Sequence, residues 1–153
     1  MKIEFTVLGI AKPAGSKTGF VMTNKQTGKQ RAVVVDACKT TKPWQAVVSA
    51  AAMEANCGKA LDAWERPLFD GALLATFRFY VPRPKSHFNS KGELKANAPA
   101  FITKKPDVLK LARAVEDALT GIVYRDDSQI VQEHLFKSYG EPARCEVKIE
   151  TLA

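Results

Sequence analysis

The chain has 153 residues, 46% hydrophobic and 25% charged, with a formal net charge of +7. That is the composition of one globular domain with a buried core, which excludes disordered, collagenous and disulfide-scaffold classes. No apolar run approaches the roughly 20 residues of a membrane span, and Met1 to Ile10 alternates instead of reading as a secretory signal, so a cytoplasmic protein with no membrane partner is expected.

Lys2 to Leu8 alternates polar and apolar residues and predicts a half-buried strand. Pro13-Ala14-Gly15-Ser16-Lys17-Thr18 follows. It invites comparison with a phosphate-binding loop, but Ser16 separates Gly15 from Lys17, five residues separate Gly9 from Gly15, and a strand signal follows Thr18, so that reading fails. Gly19 to Thr23 and Gln30 to Val35 predict a hairpin closed by Asn24 to Gly28. Thr40, Thr41 and Pro43 announce a helix whose apolar residues Trp44, Val47, Val48, Ala51 and Ala55 recur until Gly58. Leu73 to Val81 predicts a long strand stopped by Pro82 and Pro84.

Arg83 to Lys105 has no periodicity and is long for a plain connection, which marks it as functional or mobile. A second helix is expected from about Asp107 to Gly121. Val108, Leu111, Ala112, Val115, Ala118, Leu119 and Ile122 fall within an arc of about 120°, with Lys110, Arg113, Glu116, Asp117 and Thr120 opposite. Leu109 is an apolar residue on that polar side. Ile130 to Ser138 and Arg144 to Thr151 predict two more strands, the last with one wet face. The expected fold is α+β: one domain over residues 1–153, a mixed sheet covered by two main helices, with a long basic loop.

Charge is segregated. Residues 12–42 carry seven bases against Asp36 and residues 78–105 carry seven against Glu93, so each segment nets seven minus one, or +6, and the rest of the chain holds most of the acids. Two basic, turn-rich stretches suit a polyanion such as nucleic acid. Cys38, Cys57 and Cys145, odd in number and far apart, with only His87 and His134 beside them, give neither a disulfide frame nor a zinc knuckle.

The carboxylates carry the remaining chemistry. Asp107 starts a helix after Lys104-Lys105-Pro106, and Asp126-Asp127 precede a strand. Alone, the first reads as a cap and the second as a turn. Among bases that face phosphate they suit a hard cation, Mg²⁺ or Mn²⁺, able to activate water for phosphodiester hydrolysis.

Lys105-Pro106-Asp107, Ala114 to Gly121 (AVEDALTG) and Tyr124 to Val131 (YRDDSQIV) together are similar in order and spacing to the carboxy-terminal signature of RusA-type Holliday-junction resolvases, while Pro13 to Lys17 and Val81 to His87 resemble their phage and prophage branch. The resemblance spans about Ile3 to Glu150. It implies a homodimeric, Mg²⁺-dependent endodeoxyribonuclease of recombination and repair that cuts four-way DNA junctions symmetrically, at work in a bacterial cytoplasm. Asp107 and Asp127 match the family's metal-binding acids, with Asp126 beside them. Asp117 matches a helix acid read here as structural. Arg113 stands where a Lys is frequent, and with Lys17, Lys85, Lys91, Lys95, Lys104, Lys105 and Lys110 it makes the expected DNA-binding set. One position departs: the family usually places a second Asp two residues after the first, where this chain has Leu109. Either another acid completes the site, the ion keeps more water, or the protein binds branched DNA and cuts poorly.

Overall fold

A computed structural model describes residues 1–15, 17–36, 39–56 and 68–153, the side chains of residues 17–20 and 34–36 excepted. Cys38, Cys57 and Gly58, singled out in the sequence, lie outside the described residues. The elements follow as β1 (Lys2–Leu8), β2 (Lys17–Thr23), β3 (Gln30–Asp36), α1 (Thr41–Asn56), β4 (Leu73–Val81), α2 (Val108–Leu119), β5 (Ile130–Tyr139) and β6 (Arg144–Thr151), with short 3₁₀ turns at Lys85–His87 and Asp127–Gln129. This is the expected α+β fold.

The main sheet has the order β1-β6-β4-β5; β2 and β3 form a separate two-stranded ribbon. β6 is antiparallel to both β1 and β4, whereas β4 and β5 run parallel. A parallel neighbour needs a crossover, and the segment carrying α2 supplies it. Strand alternation sets the faces: Ile3 and Val7, Leu73, Ala75, Phe77 and Phe79, and Cys145, Val147 and Ile149 are buried. By register, Glu133, Leu135 and Lys137 of β5 lie opposite Ala75, Phe77 and Phe79, on that same covered side.

α1 and α2 pack beside each other. From α2 the buried residues are Leu111, Ala112, Ala114, Val115, Ala118 and Leu119. Val108 and Ile122, at the ends of the expected stripe, are half-buried, while Ala114 joins the core with α1 alongside. Burying one such Leu or Val contributes roughly 1.5–3 kcal/mol, so Leu111, Val115 and Leu119 hold α2 firmly on the sheet. α1 adds Trp44, Val48 and Ala52, and Ser49 donates to the Ala118 carbonyl at 2.9 Å.

The long loop is more ordered than its lack of periodicity suggests. Asn89 Oδ1 accepts the N–H groups of Lys91 and Glu93, both at 2.9 Å, building a turn that brings Phe88 against Leu94. Arg83 donates to the Pro99 carbonyl at 2.8 Å and lies 4.3 Å from the centre of the Tyr139 ring. Among the described residues no helix is long and apolar enough to cross a membrane.

Candidate functional site

Asp107 occupies the N-cap position of α2 with extended backbone (φ −70°, ψ 138°), yet its side chain makes no capping hydrogen bond. Its backbone carbonyl receives the Lys110 and Leu111 N–H groups at 3.1 Å each, so the helix starts there without using the carboxylate. An exposed carboxylate at the positive end of a helix, with no capping hydrogen bond among the described residues, is available for chemistry. The segment before it is pinned from the sheet. Lys137 Nζ on β5 donates to the carbonyls of Lys104 and Pro106, both at 2.9 Å, and so fixes the approach to Asp107.

Asp126 behaves differently. It caps the 3₁₀ turn, accepting the Ser128 N–H at 2.9 Å, and that hydrogen bonding holds its carboxyl below the usual range. Gln129 clamps the same turn. Its Oε1 accepts the N–H groups of Arg125 (2.9 Å) and Asp126 (3.2 Å), and its Nε2 donates to the carbonyls of Phe69 (3.1 Å) and Gly71 (3.2 Å). Tyr124 anchors the other side, fully buried, with its hydroxyl donating to the Glu116 carbonyl at 3.0 Å. The clamp leaves Asp127 exposed at the start of the turn.

The acids that interact most strongly are ones the sequence did not single out. Glu116 is half-buried on α2; burial, then hydrogen bonding with and repulsion from Glu133, then repulsion from Asp127 and Asp117, push its carboxyl up to about 8. The Oε1 of Glu116 is buried with no hydrogen-bond partner among the described residues. The helical wheel places Glu116 opposite the core stripe, but β5 runs beside that part of α2, and a pocket of about 300 Å³ lined by Leu109, Lys110, Ala112, Arg113, Glu116 and Glu133 lies between them. Strand parity on β5 was the available signal: Glu133 shares a face with Leu135 and Lys137.

Leu109 is 66% exposed, so packing within this chain does not require an apolar residue there. Among the described residues no group of three or more His, Cys, Asp or Glu is arranged to hold a metal ion; Asp107, Asp126 and Asp127 are not gathered into one ligand shell. Asp117 accepts from Gln45 of α1 at 3.5 Å.

Of the expected DNA-binding residues, Lys104, Lys105, Lys110 and Arg113 surround the first turns of α2, all exposed. Lys105 and Lys110 also line a cleft of about 450 Å³ that includes Asp107 and the stretch from Ile10 to Gly15. Lys85, Lys91 and Lys95 are exposed on the long loop, and Lys95 Nζ donates to the Ser86 carbonyl at 2.9 Å. Lys17 lies in β2, its side chain outside the described residues.

The arrangement is an exposed, uncapped Asp beside basic side chains at the head of α2, with a clamped Asp pair in the turn that leads into β5. Residues 19–150 match the family described as Endodeoxyribonuclease RusA. The chain belongs to the RusA endodeoxyribonuclease family. It is also 35% identical over 88 residues to a Bacillus subtilis (strain 168) protein described as "Uncharacterized protein YqaN"; the similarity spans 56% of this chain and 62% of that relative.

Proposed function

We propose that this RusA-family chain is a structure-selective endonuclease that resolves four-way DNA junctions, working as a homodimer on branched DNA in the bacterial cytoplasm. The observation that carries the reading is Asp107: within a family match over residues 19–150, the acid at the head of α2 is exposed and makes no cap.

The basic side chains Lys104, Lys105, Lys110 and Arg113 hold backbone phosphate against the first turns of α2. Lys137 keeps the preceding segment in place, so Asp107 meets the phosphate at a fixed position. Glu116, protonated up to about pH 8, adds no repelling charge on that side of α2 at neutral pH.

Symmetric cutting of two strands calls for two such sites related by a twofold axis. The nuclease reading calls for a divalent cation; Asp107 and the Asp126-Asp127 pair are not gathered into one ligand shell among the described residues, so the ion would be held by few protein ligands. Mg²⁺ typically takes one or two carboxylates and keeps several waters, and Asp107 and Asp127 are the oxygen donors for that role, with Asp126 supporting the second through its cap. Bound there, Mg²⁺ or Mn²⁺ would lower the pKa of a water and offset charge on the leaving oxygen.

A second reading, a branched-DNA binder that does not cut, is favoured by one feature: exposed Leu109 stands where relatives place an acid. Incubating the full chain with a synthetic four-way junction and with matched linear duplex, each with and without Mg²⁺, separates the two. Paired, symmetric nicks in the junction only with Mg²⁺ support the nuclease; tight junction binding with no nicks at any Mg²⁺ or Mn²⁺ concentration supports the binder.

A further inference from the structure

Among the described residues the β2–β3 ribbon stands apart from the main sheet. Among the described residues its strands pair only with each other, and every residue from Val21 to Ala32 is exposed, including Val21 at 62% and Met22 at 51%. A two-stranded ribbon alone is marginally stable in water. Its tip is nonetheless tightly built. Asn24 Oδ1 accepts the N–H groups of Gln26 (2.9 Å) and Thr27 (3.3 Å), Gly28 N–H donates to the Asn24 carbonyl at 2.8 Å, and Gly28 takes the positive φ of 67° that closes the turn. A stiff tip on an exposed stalk is the form of an arm that a partner completes.

Charge identifies the partner. From Val21 to Ala32 the ribbon carries Lys25, Lys29 and Arg31 and no Asp or Glu. Such a surface attracts a polyanion and repels its own copy. The register pairs Met22 with Arg31 and Thr23 with Gln30, so alternation puts one pair on each face. Strands of seven residues, at roughly 3.3 Å per residue, reach about 23 Å, and two strands sit about 4.8 Å apart. With side chains, that ribbon fits the B-DNA major groove, about 12 Å wide, and is too broad for the minor groove at about 6 Å. The deep, narrow major groove of double-stranded RNA would not admit it.

The root of the arm is tied to the candidate site. Ala14 N–H donates to the Lys110 carbonyl on α2 at 2.8 Å, and Thr41 Oγ1 donates to the Pro13 carbonyl at 2.7 Å. The stretch that leads into β2 thus shares one cleft with Asp107.

We propose that the β2–β3 ribbon is a DNA-grasping arm that lies in the major groove of one duplex arm of the substrate. Lys25, Lys29 and Arg31 hold the flanking phosphates, while Thr23 and Gln30, or Met22 on the other face, meet base edges. Because its root bonds to α2, the grip sets where the duplex lies relative to Asp107. The inference rests on the reading that the chain binds branched DNA and adds the element and the groove.

The test uses the full chain without divalent metal, a labelled four-way junction, and the combined variant Lys25→Ala, Lys29→Ala, Arg31→Ala. All three side chains are exposed, and thermal melting checks that the variant folds as the parent does. The plot of log affinity against log salt should flatten by about 0.9 for each phosphate that is no longer neutralised, up to about 2.7 for three. Methylating guanine N7, a major-groove mark, should weaken parent binding at positions within one duplex arm and leave the variant indifferent there. The combined variant Lys25→Arg, Lys29→Arg should keep the parent's slope. An unchanged slope overturns the proposal, as does an identical methylation pattern for parent and variant. A variant that sediments as monomer where the parent is a dimer, with DNA affinity per subunit unchanged, would make the ribbon a subunit clasp and overturn it as well. If the parent binds neither junction nor duplex, the DNA reading itself fails, and this outcome is distinct from parent binding that ignores the ribbon.

Discussion

Replacing Glu116 by Gln isolates one carboxyl that the fold holds protonated. In the unfolded chain it ionises near 4.5, and in the fold it keeps its proton to about 8. A raised folded pKa means that proton binding favours the fold, so this contribution is full below about pH 4.5 and is lost as pH rises through about 8. Each pH unit across that gap is worth about 1.36 kcal/mol in a fully enclosed site, close to 5 kcal/mol in all. Glu116 is only half-buried, and solvent screening brings the figure to about 2 kcal/mol. Gln keeps the shape, offers an N–H donor to Glu133 and cannot ionise. Urea unfolding in EDTA should find parent and variant within about 0.5 kcal/mol at pH 5, and the variant more stable by about 2 kcal/mol at pH 8.5. A difference that is the same at both pH values would refute the reasoning, because it would come from packing and not from the proton.

Asp107→Asn and Asp127→Asn should each abolish junction cleavage while binding persists or tightens, since removing a carboxylate weakens cation binding and also relieves repulsion of phosphate; binding that falls in step with cleavage would assign them to folding. Leu109→Asp should change stability by no more than about 0.5 kcal/mol, as expected at an exposed site, and raise cleavage at low Mg²⁺. A loss of several kcal/mol would mean that Leu109 is covered in the assembled dimer. On the long loop, Lys85→Ala and Lys91→Ala should each flatten the salt dependence of junction binding by about 0.9, with a smaller change for Lys95→Ala because its ammonium is engaged by the Ser86 carbonyl. Sedimentation at micromolar concentration should find a dimer; full junction cutting by a monomer would exclude the symmetric two-site scheme.

Strands with one buried face were the most legible elements. β1, β4 and β6 begin and end where their alternation does, because a period of two shows directly which residues meet the core. The burial of Leu111, Ala112, Val115, Ala118 and Leu119 on α2 followed from the same kind of periodicity. What one helix cannot reveal is which strand lies beside its polar side, so Glu116 read as solvated although β5 brings Glu133 to it. Nor does spacing distinguish a capping Asp from an uncapped one. Asp107 and Asp126 both precede a helical turn with extended backbone, and only the side-chain hydrogen bonding shows the second engaged with Ser128 and the first left exposed. The order of the long loop is hidden in the sequence because it comes from a few side-chain bonds, Asn89 to its own turn and Arg83 to Pro99, which carry no period.

The strand order β1-β6-β4-β5 has a consequence for synthesis. β6, contributed by residues 144–151, separates β1 from β4, so a ribosome has made both helices and every acid discussed above before the sheet can close. Until those residues emerge, β1 has no neighbour and one flank of β4 is open. The sheet beneath α2 is therefore incomplete while the chain is still being translated.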